Sequence, residues 1–169
     1  MPSRKENPQA ANLSALLKGL SEAGIEFIIV GGLAAVAQGA PVTTFDLDIV
    51  HLQTDENTQK LSVFLKSINA FQRRPDDEII EPTEKDLKAK GHLLLNTRLG
   101  PLDILAFIEK ERGYKELLTD AVEIELYGYK VYVLSLQTLI ELKRDSKDPM
   151  DRYRLPILKE TIRQTGEKK

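Results

Sequence analysis

Along this chain apolar and polar positions recur in two periods, and the switches between them divide it into elements. Residues 10–23 carry Ala10, Leu13, Leu16, Leu17 and Leu20 at helical spacing with Gly24 as a stop, so an amphipathic helix opens the pattern. A mostly apolar run over 25–30 predicts a central strand covered on both faces. A short helix is expected over 33–38, ended by Gly39 and kept from continuing by Pro41, with a second strand over 44–51. Leu61, Phe64, Leu65 and Ile68 then predict a helix over 54–70 capped by Thr54 or Asp55.

Beyond it the pattern breaks. Residues 72–90 hold two prolines and eleven charged side chains, interrupted only by Ile79 and Ile80, which reads as a loop with a short strand and a short helix. Variation suited to a substrate is tolerated best there. Apolar runs over 92–96 and 102–107 flank Gly100-Pro101 and predict a hairpin, with Asp103 near the start of its second strand. Val122, Ile124 and Leu126, then Val131 and Val133 around Gly128, predict a second hairpin. Ser135 caps a helix to about 144, and Pro149 sits in the first turn of a last helix to about 164. The expected fold class is α+β, a mixed sheet carrying both aspartate-bearing strands, with helices flanking one face and C-terminal helices closing a cleft. One domain, 1–169, is expected, with a core over about 10–134 and a helical part over about 135–165.

Composition narrows the partners more than the fold. The 24 basic and 26 acidic residues leave a net charge of −2, so no global field draws the chain to nucleic acid, and a polynucleotide would need a local patch. The absence of cysteine removes disulfides and thiolate metal sites. No apolar run approaches the roughly 20 residues that span a bilayer, which predicts no membrane partner. The opening MPSRKENPQ lacks an apolar signal core, so a cytoplasmic location is expected.

The chemistry concentrates in VGGLAAVAQGAPVTTFDLDIV, residues 30–50. Gly31 and Gly32 follow a strand, where glycine lets the backbone turn sharply and approach a ligand, and the N–H groups opening the next helix favour an anion. Asp46 and Asp48 are two apart, so on a strand they project to one face and can share a divalent cation through hard carboxylate oxygens. Asp103 interrupts another apolar run. A buried carboxylate is costly unless a shared cation or an edge position compensates, and with Gly31-Gly32 nearby the functional reading is favoured. Each residue also has a plainer reading: glycine for the turn alone, aspartate as a cap, and Thr44 as a partner for backbone.

These motifs resemble those of the nucleotidyltransferase superfamily, with the fold of DNA polymerase beta, and especially its small bacterial minimal, antibiotic-modifying and AbiEii-type toxin members. The resemblance rests on Gly31-Gly32, Asp46-Leu47-Asp48 and Asp103 in GPLDILAFI, with a weaker echo in LIELKRDSKDPMD, residues 139–151. It implies Asp46, Asp48 and Asp103 as catalytic metal ligands for Mg2+ or Mn2+. Gly31, Gly32, Thr44, Lys143 and Lys147 would contact a nucleoside triphosphate, although a charge run such as the one holding both lysines reads more plainly as a solvated face. The sequence departs from the pattern at Val42, where many relatives carry arginine. The implied activity is transfer of a nucleoside monophosphate to a hydroxyl on a protein, a transfer RNA or a small molecule. A toxin-antitoxin setting, with a cognate antitoxin or a homo-oligomer as partner, is part of the same implication.

Two other readings compete. DLDIV satisfies by letter the Asp-x-Asp motif of haloacid-dehalogenase-like phosphatases, but those aspartates end the first strand of a parallel doubly wound sheet, which the two hairpins do not suggest. The other is a non-catalytic protein of the same fold that binds a nucleotide or a partner as an antitoxin or regulator. Val42 supports that reading, and the intact aspartates oppose it. His51 and His92 have no ligand-spaced His or Cys and are expected to be structural.

Overall fold

A computed structural model describes residues 10–76, 78–109 and 111–166. The polar opening, residues 1–9, and Asp77 of the charged loop lie outside the described residues. Strand β1 (Phe27–Val30) is buried at all four positions, and because alternate residues point to opposite faces, both faces of the sheet's centre are covered. Cover on both faces of this strand is what the apolar run over 25–30 predicts. Helix α1 (Leu13–Glu22) buries Leu16, Leu17 and Leu20, and its Asn12 cap accepts a hydrogen bond from the Ala15 amide at 3.2 Å.

Strand β1 starts later than the apolar run because the Asn57 side chain takes the backbone of Glu26. Asn57 Oδ1 accepts from the Glu26 amide at 2.7 Å and Nδ2 donates to its carbonyl at 2.9 Å. Helix α2 (Gly31–Ala37) follows at once, beginning at Gly31 rather than at 33. Strand β2 (Leu47–His51) opens three residues later than the apolar pattern suggested, so Asp46 lies in a bend just ahead of it. Helix α3 (Asp55–Ser67) is capped by Thr54, whose hydroxyl accepts from the Asn57 amide.

Strand β3 (Phe71–Gln72) only reaches the first residue of the charged stretch, whose described remainder holds no strand, Ile79 and Ile80 included, while the short helix expected there is α4 (Glu84–Lys88). Strands β4 (His92–Asn96) and β5 (Leu102–Leu105) make the first hairpin. Helix α5 (Tyr114–Leu118), five residues long, has no counterpart in the apolar pattern. Strands β6 (Ala121–Leu126) and β7 (Tyr129–Leu134) make the second hairpin. The chain ends in α6 (Leu136–Lys143), capped by Ser135, and α7 (Pro149–Gly166).

The seven strands form one mixed sheet in the order β3-β4-β5-β2-β1-β7-β6. Strand β1 runs antiparallel to β2 and parallel to β7, while β2 and β5 are parallel. Helices α1, α2 and α5 pack on its central strands, and the apolar core continues into the C-terminal helices through Leu139, Ile140 and Leu158. Among the described residues no helix is long and apolar enough to cross a membrane.

Candidate active site

Strand register decides which carboxylates meet. Val30 at the end of β1 pairs with Asp48 on β2, and Asp48 pairs with Asp103 on β5. Residues level with one another on adjacent strands share a face about 4.8 Å apart, so a separation of 55 residues in sequence closes to neighbouring side chains. Asp46, in the bend, completes the group. One carboxylate oxygen from each of Asp46, Asp48 and Asp103 lies within 4.8 Å of the others.

Such crowding has an electrostatic signature. Burial, then the Asp103 and Asp46 charges and a shared hydrogen bond with Asp103, push the Asp48 carboxyl up from 3.8 to about 7. The donor set fits Mg2+ or Mn2+, since hard anionic oxygens suit both and a cation would offset the burial and the repulsion that raise the Asp48 carboxyl. Arg73, just past β3, partly offsets it. Its Nη2 donates to Asp103 Oδ1 at 3.0 Å and to the Leu95 carbonyl at 2.9 Å, and its charge lowers the Asp48 value somewhat.

The two glycines serve different neighbours. Gly31 has φ of +72°, and a Cβ there would run into the Asp48 carboxylate, so only glycine permits both the turn and the carboxylate's position. A Cβ on Gly32 would meet Thr44 Oγ1 at 2.9 Å and Arg154 Nη1 at 3.3 Å. Thr44 itself donates to the Asp46 carbonyl at 3.2 Å, which fixes the bend that presents Asp46. The seven-residue α2 is too short for its dipole to be the main attraction for an anion.

The lysines of the sequence pattern lie at the junction of α6 and α7. Lys143 Nζ donates to Asp151 Oδ1 at 2.7 Å, and Ser146 Oγ donates to Oδ2 of the same carboxylate at 2.8 Å. Burial alone would raise the Asp151 carboxyl, but these bonds and the charges of Lys143 and Arg154 hold it below its ordinary value. Lys147 is exposed and lines a cavity of about 590 Å³ between α6 and α7 together with Lys143, Arg144, Arg152 and Lys159. His51, at the far end of β2, is buried and donates from Nε2 to the Leu87 carbonyl at 2.7 Å; burial pushes its pKa down. Two arginines beside the site, Arg73 and Arg154, are not marked by the sequence pattern. Nothing in their local sequence singles them out, because each reaches the site from an element remote from Asp46 in the chain.

This mixed sheet, with two strand carboxylates level and a glycine turn against one of them, has the fold of nucleotidyltransferases of known structure. The chain superimposes on the lincosamide antibiotic adenylyltransferase LnuA bound to lincomycin, with TM-score 0.59 and 14% identity over 90% of this chain and 98% of that one. It is similar to ANT(2")-Ia in complex with adenylyl-2"-tobramycin, with TM-score 0.56 and 16% identity over 92% and 91% of the two chains. An antigenic nucleotidyltransferase-like protein from Paracoccidioides brasiliensis matches with TM-score 0.57 and 16% identity over 94% of this chain and 79% of that one. No family model and no curated protein matches the sequence.

Proposed function

We propose that this protein is a metal-dependent nucleotidyltransferase that moves a nucleoside monophosphate from a nucleoside triphosphate to a hydroxyl. The observation that carries the reading is the convergence of Asp46, Asp48 and Asp103 within 4.8 Å beside the Gly31 turn. In the transfer, the acceptor oxygen bonds to the α-phosphorus, the bond from that phosphorus to the bridging oxygen breaks, and pyrophosphate leaves with the electron pair. Mg2+ or Mn2+ bound by the three carboxylates would neutralise charge on the phosphate oxygens. Asp46 and Asp48 would hold the metal bound to the triphosphate, and Asp103 would help a second metal or a water-mediated base take the proton of the acceptor hydroxyl. The Gly31-Gly32 backbone leaves room for the phosphates, with Thr44 holding the bend beside them. Lys143 and Lys147 belong to the C-terminal helical part, which we read as closing the cleft of a single domain; the core shared with Leu158 supports that.

A protein side chain, a transfer RNA end and a small molecule like the antibiotics of the two adenylyltransferases all remain open as acceptors. A cytoplasmic toxin-antitoxin setting, with a cognate antitoxin or self-association, is part of the same reading. The non-catalytic alternative draws support from Arg73, whose ion pair with Asp103 engages the third carboxylate.

Incubation with each labelled triphosphate, Mg2+ or Mn2+, and cell extract or model acceptors tests the choice. Label should pass to one acceptor class with the wild type and fall by at least about a hundredfold with Asp48→Asn, as loss of a major electrostatic contribution requires. Triphosphate binding without transfer to any acceptor would favour the non-catalytic protein.

A further inference from the structure

The geometry points to Arg154 as a phosphate-binding residue that reaches over the Gly31-Gly32 turn from α7 to hold the β- and γ-phosphates of the nucleotide. This inference rests on the nucleotidyltransferase reading and names a contact within it. Gly31 and Gly32 are consecutive; a Cβ on the first would meet the Asp48 carboxylate, and one on the second would meet the Thr44 side chain at 2.9 Å and, beyond it, the Arg154 guanidinium at 3.3 Å. The backbone between them is therefore flanked by the carboxylates at one end and a fixed cation at the other. A triphosphate with its α-phosphate at the carboxylates extends its more anionic end along such a turn.

The guanidinium is held in place without being spent. Nη2 donates to the Thr43 carbonyl at 2.6 Å, a short charge-assisted bond that ties α7 to the segment leading into Asp46. That is its one hydrogen bond among the described residues, and a guanidinium has five N–H donors in a planar fork suited to phosphate. Asp151, one turn earlier on α7, is near enough to feel the Arg154 charge, yet its oxygens are bonded to Lys143 and Ser146. The segment from Pro41 to Phe45 offers no cation of its own, and Val42 within it packs against the apolar core. A cation for this end of the ligand must come from elsewhere in the fold, and Arg154 is already there. Breaking the α–β bond places charge on pyrophosphate, so the same contact strengthens as the transition state forms.

Arg154→Gln tests this while leaving a donor for the Thr43 carbonyl. Calorimetric titration with a non-hydrolysable α,β-methylene triphosphate and with the corresponding monophosphate, both with Mg2+, reads the contact without needing the acceptor. Triphosphate affinity should fall roughly ten- to a hundredfold, monophosphate affinity should stay within about twofold, and Arg154→Lys should recover part of the loss. Equal triphosphate affinity in wild type and Arg154→Gln overturns the inference alone, as does an equal loss for both ligands, which would make Arg154 a support for α7. A wild type that binds no triphosphate at all removes both the inference and the functional reading beneath it.

Discussion

Gly31 and Asp48 constrain each other more tightly than any other pair in the site. Gly31→Ala adds a methyl against a carboxylate at a φ of +72°, so we expect a loss of about 1–3 kcal/mol from backbone strain together with weakened Mg2+ or Mn2+ binding. Gly39→Ala is the control, since Gly39 has φ of +98° but open space around its missing side chain. It should cost stability alone, and denaturation with metal titration of both variants separates strain from displacement of Asp48. Asp48 also carries a pH signature. Its carboxyl ionises near 3.8 in the unfolded chain and near 7 in the metal-free fold, so folding takes up a proton between those values. The stabilising contribution is full below 3.8 and is lost as pH rises through 7. His51 acts oppositely: its lowered pKa removes stability as pH falls below 6.5. The Asp48→Asn variant keeps His51, so the difference between its denaturation curve and that of the wild type isolates Asp48. We expect Asp48→Asn to be the more stable at pH 8 by an amount on the order of a few kcal/mol, and a difference that does not grow with pH between 4 and 8 would contradict an origin in the Asp48 proton.

At the scale of elements, the junction of α6 and α7 hangs on the Asp151 carboxylate. Lys143 and Asp151 side chains are 17% and 30% exposed, sheltered enough for their bond to exceed a surface ion pair. Lys143→Met leaves that carboxylate short of its charged partner and should cost about 1.5–3 kcal/mol, with faster amide exchange through the first turns of α7. Unchanged exchange there would show that the helix is held by Leu158 and its apolar neighbours instead. The elements legible in the sequence include those whose periodicity also sets their burial, α1, β1, α3, both hairpins and the capped α6, together with α2, β2 and α7, whose glycines and prolines mark their bounds. Helix α5 is illegible because five residues behind an uncapping Gly113 carry too little periodicity to register. The sequence puts Asp46 on a strand because Thr44, Asp46 and Asp48 alternate as strand residues do, whereas the Thr44 bond to the Asp46 carbonyl makes a bend there instead. The carboxylates and glycines are legible because their spacing is local. Arg73 and Arg154 are not, since their approach depends on the sheet order and on how α7 docks, and neither is written within a window of sequence.

For the whole molecule, binding should speak through stability. A ligand present at a hundredfold excess over its dissociation constant adds about 2.7 kcal/mol to the folded state. In a chain of 169 residues that should raise the melting temperature by about 5–10 °C. Wild type with Mg2+ and the right triphosphate should show this shift, with little from either component alone, because the cation and the phosphates each complete the other's site. Asp48→Asn should melt higher than wild type when no ligand is present and respond weakly when both are added, since the neutral side chain relieves repulsion in the empty site and withholds a charge from the cation. The inversion discriminates between two accounts of why three carboxylates stand together in a folded core. Where function holds them there, the fold is strained without its ligands and relaxes with them, so removing a charge stabilises the empty protein. Where they are structural, the Arg73 bond to Asp103 and the hydrogen bond shared by Asp48 and Asp103 are what the fold gains, so removing a charge destabilises it and the wild type ignores both ligands. Melting curves of the two proteins under four conditions, without ligand, with Mg2+, with triphosphate and with both, decide between them, and a wild type indifferent to every addition together with a destabilised variant would end the enzymatic account.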